Sequence, residues 1–330
     1  MKEIRLDNFT GEFEKSQRIV ITNHTNPDGD AMGSALALQR VFEKLGKTVH
    51  VIVPNPYPKF LWHLTGNDRV MIYSDGKKAA NAEIEVADMI FHLDYNAYHR
   101  SADMEEALRA AQAKKVMIDH HQQPESWPDF IYSDTGMSST CQMIYEFCAM
   151  YNWDQFLDKE SAECLYTGII TDTGSFKFSA TTSRTHEVAG KLLDLGVESQ
   201  QLQNKIFDSQ PAARLKLLGT MLGQMETSAD GAVVLLYLSK VQCDALGYEK
   251  GITEGFVNYG LSVDGAQIAC FMREEEGIVK ISLRSKGLVD VNELARASFN
   301  GGGHKNAAGG RLDTDIATAL AHAKTHLPWS

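Results

Sequence analysis

Short apolar runs and helical stretches alternate along the N-terminal half of the chain. The runs "RIVITN" (18–23), "TVHVIVP" (48–54), "ADMIFHLD" (87–94) and "KVMID" (115–119) have the length and the β-branched residues of buried strands. Between the first two, residues 32–46 place apolar side chains at helical spacing and end in a glycine. Strands that alternate with helices predict an α/β fold with a doubly wound, mainly parallel sheet. In such sheets, ligands bind at the carboxyl ends of the strands.

A different pattern follows in the C-terminal part. The spacing in residues 183–227 is only helical, and "QIACFMREEEGIVKISLRSKG" (267–287) then predicts a β-hairpin, with a strand before it and two helices after it. A chain of 330 residues is also too long for one typical core. We therefore expect three parts: a parallel α/β domain over 1–185, a helical connector over 186–228 and a smaller α/β domain over 229–330.

A helix is predicted directly before the fourth apolar run. Residues 104–114, "MEEALRAAQAK", have helical spacing, and we expect Lys114 and Lys115 to end that helix.

The composition restricts the partners and the compartment. The net charge of -11 argues against a protein that binds long nucleic acids through a basic surface. The five cysteines form no C-x-x-C pair, which argues against a disulfide framework and favours a reducing compartment. The longest strongly apolar run, "AVVLLYL", is too short to span a bilayer, and the N-terminus has no apolar signal region. We expect a cytoplasmic protein without a membrane segment.

Several apolar stretches end in aspartate or histidine. Each such end could be a turn, a helix cap or a buried hydrogen-bonded cluster. Carboxylates that converge on one sheet edge would repel each other, however, and divalent cations remove that conflict. The residues at these ends are His24, Asp28 and Asp30 after the first run, Asp94 after the third, Asp119, His120 and His121 after the fourth, and Asp172 after an apolar helix.

The types of these residues indicate which metal they bind. Carboxylates with imidazoles and without cysteine favour Mn²⁺ or Mg²⁺ over structural zinc, and the imidazoles favour Mn²⁺. Two such ions about 3.5–4 Å apart are a common device for phosphoester hydrolysis. The sequence therefore predicts two divalent cations, Mn²⁺ before Mg²⁺, at the edge of the parallel sheet.

The C-terminal part contains "NGGGHKNAAGG" close to basic residues. Three glycines allow backbone N–H groups to approach a phosphate, although a flexible loop between helices could have the same glycines. Residues 277–312 contain six lysines or arginines and two acids, in a chain whose net charge is -11. Arg284 in the predicted hairpin could bind a phosphate through two hydrogen bonds.

These motifs occur in a characteristic order. N-H-x3-D-x-D, the strand-end aspartate, "DHH" (119–121), "TDTGSF", "SLRS" and "GGGH" together resemble the DHH family of phosphoesterases with a C-terminal DHHA1 domain. Length and layout are most similar to its nanoRNase and pAp phosphatase group (NrnA-like). Pyrophosphatases of the same superfamily have a different second domain, so the "GGGH" motif argues against that branch.

The resemblance implies a role for each matching residue. The ligands of one ion would be His24, Asp28 and Asp94. The ligands of the other would be Asp30, Asp94, His120 and Asp172, with Asp94 shared by both ions. His121 would face the scissile phosphate, and Asp119 would orient a ligand histidine through its other ring nitrogen. The residues that would bind the nucleotide are Arg284, Ser285, Gly301, Gly302, Gly303 and His304.

The resemblance also implies an activity. The enzyme would be a Mn²⁺-dependent exoribonuclease that hydrolyses short RNA oligonucleotides to mononucleotides, and adenosine 3′,5′-bisphosphate (pAp) to AMP. Hydrolysis of cyclic di-AMP or of linear pApA needs the same groups, and the sequence does not separate these substrates. A non-enzymatic RNA-binding module fits less well, because a pure binder need not keep all six metal ligands. A homodimer is compatible with the resemblance, but no sequence feature demands one.

Overall fold

The apolar runs of the N-terminal half form one sheet. The computed structural model describes residues 2–329, without the side chain of His304, and divides them into two units, one up to Ser209 and one from Gln210. The strands of the first unit are β1 (Lys2–Arg5), β2 (Arg18–Thr22), β3 (Thr48–Val53), β4 (Met71–Ile72), β5 (Met89–Leu93), β6 (Lys114–Asp119) and β7 (Phe130–Asp134).

The topology of this sheet places a crevice at its centre. The strands lie in the order β1-β7-β6-β5-β2-β3-β4, and among them only β1 runs antiparallel to its neighbour. The chain proceeds from β2 to β3 on one side and later continues from β5 to β7 on the other side. The strand order therefore reverses between β2 and β5, where ligands bind in doubly wound folds. The prediction of a mainly parallel, doubly wound sheet is confirmed.

Helices cover both faces of the sheet. Alternate residues of β2 belong to different cores, with Ile19 and Ile21 in one and Val20 in the other. Such two-sided burial explains why the strands are continuous apolar runs. The helices of the first unit are α1 (Phe9–Lys15), α2 (Gly29–Lys44), α3 (Tyr73–Glu85), α4 (Glu105–Ala110), α5 (Thr140–Met150), α6 (Lys159–Asp172), α7 (Ser183–Asp194) and α8 (Ser199–Gln203).

Helices α2, α5 and α6 pack closely against one another. Glycines make this possible, since a Cβ atom on Gly33 of α2 would lie 2.3 Å from the carbonyl oxygen of Cys164 in α6. The close packing brings the first turn of α2, the first turn of α5 and the last turn of α6 toward the same sheet edge.

The second unit contains a mixed sheet. Its strands are β8 (Glu226–Thr227), β9 (Val233–Leu238), β10 (Ile268–Glu274), β11 (Val279–Ser285), β12 (Gly302–His304) and β13 (Ala307–Leu312), in the order β12-β13-β11-β10-β9-β8. The predicted hairpin is formed by β10 and β11. The helices are α9 (Ala212–Gly223), α10 (Lys240–Ala245), α11 (Val257–Gly260), α12 (Val291–Ser298) and α13 (Ile316–His326).

One local expectation was wrong. Lys114 and Lys115 do not end a helix, because α4 stops at Ala110 and both lysines lie in β6, where Lys114 pairs with Met89 and Lys115 with Ile90. The glycine-rich segment after α12 forms β12 and β13, so the alternative of a flexible loop between two helices does not hold. Across residues 2–329, no helix is both long enough and apolar enough to cross a membrane.

Candidate metal centre

The first group of ligands lies after β2. His24 Nε2 is 3.2 Å from Asp94 Oδ2 and 3.8 Å from Asp28 Oδ2. Its other ring nitrogen, Nδ1, donates a hydrogen bond to the main-chain carbonyl of Thr25 at 2.9 Å. This bond fixes the proton on Nδ1 and leaves Nε2 directed at the carboxylates, which is the arrangement of a metal-binding histidine.

Asp28 serves two purposes with its two oxygens. Oδ1 accepts the main-chain N–H groups of Asp30 and Ala31, each at 3.0 Å, and so caps the N-terminus of α2. Oδ2 remains available beside His24. The helix cap and the metal ligand, which are alternative interpretations of the sequence, coincide in one carboxylate.

The second group of ligands surrounds His120. Its Nε2 lies 3.8 Å from Asp30 Oδ2 and 3.5 Å from Asp172 Oδ2. Its Nδ1 donates to the main-chain carbonyl of Met137 at 3.3 Å, so this imidazole also directs Nε2 at carboxylates. In both groups, the potential ligand atoms lie within 4.8 Å of one another.

Asp94 joins the two groups. Its Oδ2 lies 3.2 Å from His24 Nε2, and its Oδ1 lies 3.5 Å from His120 Nε2. The residue directly follows β5 in the left-handed region, with φ of 63°, a conformation that aspartate tolerates better than most residues. The hydroxyl of Thr140 donates to Oδ1 at 2.9 Å and holds the buried carboxylate in place. One carboxylate can therefore serve two neighbouring ions.

Main-chain groups of α5 hold Asp30. The N–H groups of Thr140 and Cys141, at the start of the helix, donate to its carboxylate at 2.6 and 2.8 Å. These free N–H groups and the positive end of the helix dipole favour an anion at this place. Ser139 is the ordinary N-cap of α5, and the amides of the two residues after it bind the aspartate.

The negatively charged carboxylates of the centre repel one another. Burial, together with the charges of Asp94 and Asp172, raises the pKa of Asp30 well above its ordinary value. Burial also raises the pKa of Asp172 to about 7, although the positive charge of His120 opposes this effect. A divalent cation would remove the repulsion that produces these shifts.

The histidines respond to the same negative charge. Burial alone would lower the pKa of each ring, but the hydrogen bond and charge of Asp94 raise the pKa of His24 to about 9 and that of His120 to about 10. Burial would raise the pKa of Asp94, but hydrogen bonds from both rings hold it well below its ordinary value. Imidazoles and carboxylates in this arrangement fit a hard divalent cation such as Mn²⁺.

Asp119 contacts one of the two histidines that follow it. Its fully buried carboxylate accepts the Nδ1–H of His121 at 2.7 Å and the main-chain N–H of His121 at 3.0 Å. Of the two adjacent histidines, Asp119 thus holds His121, whereas His120 bonds to the Met137 carbonyl. The role of Asp119 in orienting a ligand histidine stays a prediction. Asp119 fixes His121, whose Nε2 forms no hydrogen bond with the residues that the structure describes. The nearby His92 is fully buried, and its Nδ1 lies 2.5 Å from the Tyr95 hydroxyl.

The second unit contains the predicted nucleotide-binding residues. Arg284 is half-buried and donates to the carbonyl of Leu283 at 3.0 Å, and burial lowers the pKa of its guanidinium. Among residues 2–329, no carboxylate forms an ion pair with it. The hydroxyl of Ser285 is engaged, since it donates to the Val289 carbonyl at 2.7 Å and accepts from Asn306 Nδ2 at 2.9 Å. The side chain of His304 lies outside the described part of the chain.

Close backbone contacts explain why glycines occur before His304. A Cβ atom on Gly301 would lie 1.9 Å from the carbonyl oxygen of Gly309. Gly303 has φ of 155°, and its Cβ would lie 2.5 Å from the Ala307 carbonyl oxygen. The N–H of Gly301 donates to Ala295, and that of Gly303 to Asn292 Oδ1. Close backbone packing thus explains Gly301 and Gly303 without a phosphate, while Gly302 has room around its Cβ position.

Comparison with known proteins agrees with this architecture. Residues 18–169 match the N-terminal domain of the DHH family, and residues 230–327 match the DHHA1 domain. A crystal structure of an exopolyphosphatase-related protein from Bacteroides fragilis is 36% identical, with a TM-score of 0.95 over 98% of this chain and 95% of that one.

Two bacterial relatives have the name "Bifunctional oligoribonuclease and PAP phosphatase NrnA". The protein from Thermus thermophilus is 30% identical over 89% of this chain and 84% of its own length. The protein from Bacillus subtilis is 28% identical over 89% of each chain. With these similarities spanning both domains, the chain belongs to the DHH family of phosphoesterases, in the NrnA-like group that joins a DHH domain to a DHHA1 domain.

Proposed function

We propose that the chain is a two-metal phosphoesterase that hydrolyses short RNA oligonucleotides to mononucleotides and pAp to AMP. The position of Asp94 carries this proposal, because its two oxygens face the imidazoles of two separate ligand groups. Paired cation sites that share a ligand are suited to phosphoester hydrolysis. The names of the two NrnA relatives support the choice of short RNA and pAp as substrates.

The two ions would be Mn²⁺, with Mg²⁺ as the alternative. His24, Asp28 and Asp94 would hold one, and Asp30, Asp94, His120 and Asp172 would hold the other. Mixed carboxylate and imidazole ligands favour Mn²⁺. When bound, such ions lower the pKa of water and stabilise negative charge on phosphoryl oxygens.

His121 would act on the substrate directly. Because its Nδ1–H is donated to Asp119, its Nε2 can donate a hydrogen bond to a phosphoryl oxygen when the ring is protonated. The buried carboxylate of Asp119 would fix the tautomer and the orientation of the ring, as the aspartate of a catalytic triad does for its histidine.

The second unit would bind the nucleotide. Arg284 offers a half-buried guanidinium that forms no ion pair with a carboxylate of the described residues. Such a group suits a phosphate, which it can bind through two hydrogen bonds. The glycines at 301–303, His304 and Ser285 belong to the same proposed site. We assign hydrolysis to residues 1–185, nucleotide binding to residues 229–330 and a connecting role to the helices of residues 186–228.

A substrate panel tests this function. The purified chain is incubated with Mn²⁺ and labelled RNAs of two to five nucleotides, pAp, pApA and cyclic di-AMP. We expect mononucleotides from the short RNAs and AMP from pAp, with activity lost in Asp94→Asn and kept in Asp194→Asn, which changes an exposed aspartate of α7. Hydrolysis of cyclic di-AMP alone would contradict the choice of short RNA and pAp as substrates. No hydrolysis of any compound would contradict the proposed function as a whole.

A further inference from the structure

One arginine of the first unit differs from all the others in its surroundings. The side chains of the others donate hydrogen bonds to carboxylates or to a main-chain carbonyl; they are Arg5, Arg18, Arg40, Arg69, Arg109 and Arg184. Arg100 is half-buried, yet its guanidinium has no ion pair and no hydrogen bond within the described residues. In a chain with a net charge of -11, a half-buried arginine without an acidic partner indicates a place for an external anion.

The main chain of Arg100 is hydrogen-bonded to the segment that contains the candidate metal ligand His24. Its main-chain carbonyl accepts the N–H of Thr25 at 2.7 Å. Thr25 directly follows His24, whose Nε2 faces Asp94 at 3.2 Å. The segment that carries Arg100 therefore lies on the His24 side of the centre, where the first ligand group is located.

The fold keeps both partners of this contact in place. The hydroxyl of Thr25 donates to Asn55 Oδ1 at 2.8 Å, and the N–H of Asn26 donates to the same oxygen at 2.8 Å. Two residues after Arg100, Ala102 has φ of 50° and ψ of -128°, a conformation that is unfavourable for a residue with a Cβ atom. Unfavourable backbone conformations persist where the surrounding structure enforces them, often at functional sites.

We propose that Arg100 binds a second phosphate of the substrate, adjacent to the scissile phosphate and on the His24 side of the metal centre. This inference rests on the proposed phosphoesterase function and defines its preferred substrate further, as a nucleotide or oligonucleotide with a second phosphate next to the scissile one. A guanidinium can form two parallel hydrogen bonds with one phosphate, which gives both affinity and orientation. Neighbouring cations are engaged elsewhere, since Lys77 pairs with Asp103 and Arg109 with Glu105.

Two matched dinucleotides test this subsite. ApA and pApA contain the same scissile phosphodiester, but only pApA has a second phosphate. For pApA, we expect Arg100→Ala to lower kcat/KM by about 10–100-fold, mainly through KM, because a charged hydrogen-bond partner is lost. For ApA, the same variant should behave like wild type, and Arg100→Lys should restore part of the activity on pApA.

The control variant is Arg109→Ala, which removes a guanidinium next to the same segment, over the ring of Tyr98. It should leave both substrates unaffected, and calorimetric titration should show the same Mn²⁺ binding in all variants. Equal losses on ApA and pApA in Arg100→Ala would mean a structural role and would overturn the inference, as would no loss on either. If wild type hydrolyses neither dinucleotide, the proposed function itself fails, which is a different result.

Discussion

The Nδ1–H of His121 is donated to the buried carboxylate of Asp119 at 2.7 Å. This contact separates the two histidines of the "DHH" motif by function. His120 directs Nε2 into the ligand group, whereas His121 is held by a carboxylate that contacts neither ligand histidine. The contact predicts that catalysis and metal binding can be separated by mutation at Asp119.

Asp119→Asn tests this separation. An amide preserves the shape but can favour the wrong tautomer of His121, so we expect kcat to fall by roughly 10³–10⁴-fold. Mn²⁺ affinity and stoichiometry, measured by calorimetry, should stay close to wild type because Asp119 is not a ligand. Loss of one Mn²⁺ in this variant would show that Asp119 supports a ligand instead.

Thr140→Val tests the support of the shared carboxylate. Valine has nearly the same shape but lacks the hydroxyl that donates to Asp94 Oδ1 at 2.9 Å. Removal of such an outer hydrogen bond commonly lowers metal affinity by about 10–100-fold, and we expect a loss in this range by calorimetric titration with Mn²⁺. Thr325→Val is the control, because that exposed hydroxyl donates to the Ala321 carbonyl of its own helix, far along the chain from any ligand residue. Equal affinity in both variants would contradict the role given to Thr140.

A pair of glycine substitutions tests the packing beneath the centre. A Cβ atom on Gly168 would lie 2.1 Å from Cys141 Sγ and 2.8 Å from Asp30 Oδ1. We therefore expect Gly168→Ala to lower the free energy of unfolding by at least about 1–3 kcal/mol and to weaken Mn²⁺ binding. Gly190 in α7 has no atom within 4 Å of its Cβ position, so Gly190→Ala should stabilise the protein by about 0.5–1 kcal/mol. Denaturant unfolding measures the change in the free energy of unfolding for both variants. A Gly168→Ala protein as stable as wild type would contradict the close packing of α5 and α6.

Proton release tests the electrostatics of the ligands. Since the pKa values of His24 and His120 are raised to about 9 and 10, both rings carry a proton at pH 7, and a cation must displace these protons. Calorimetry in two buffers of different ionisation enthalpy should show release of about two protons or more per fully loaded protein. Mn²⁺ affinity should rise between pH 7 and 9. Binding without proton release would contradict the raised pKa values.

The same shifts predict how the metal-free protein responds to pH. A raised histidine pKa stabilises the folded state fully below the unfolded-state pKa of about 6.5, and this contribution is lost as pH rises through the folded-state pKa. For His24 and His120, the loss falls between pH 7 and about 10. Thermal unfolding in the presence of a chelator should show a falling Tm over this range, and His24→Gln should reduce the slope. A Tm that rises with pH would contradict this sign.

The sequence predicted the parallel sheet and the residues at its edge because both depend on local patterns. Apolar runs of strand length define β2, β3, β5 and β6, and each ligand-bearing run ends in a recognisable acid or histidine. The short β1 was not predicted, because all four of its residues are exposed and its sequence shows no alternation of apolar and polar residues over the length of a strand. It forms a strand because it pairs with β7, from Lys2 opposite Asp134 to Arg5 opposite Ile131.

The supporting contacts of the site could not be predicted in the same way. The amides of Thr140 and Cys141 that bind Asp30 are main-chain groups, so their role does not depend on a particular side chain. The choice of Asp119 between two adjacent histidines depends on the direction in which each side chain leaves the strand end. The strands β12 and β13 are rich in glycine and alanine, which show little strand preference. They form through pairing, β13 with β11 and β12 with β13.

The central claim is that Asp94 is shared by two divalent cations. Crystals grown with Mn²⁺ and measured at the manganese absorption edge test it most directly. We predict two anomalous peaks, one among His24, Asp28 and Asp94 and one among Asp30, Asp94, His120 and Asp172, with an oxygen of Asp94 bound to each. A single peak, or two peaks of which only one contacts Asp94, would contradict the account.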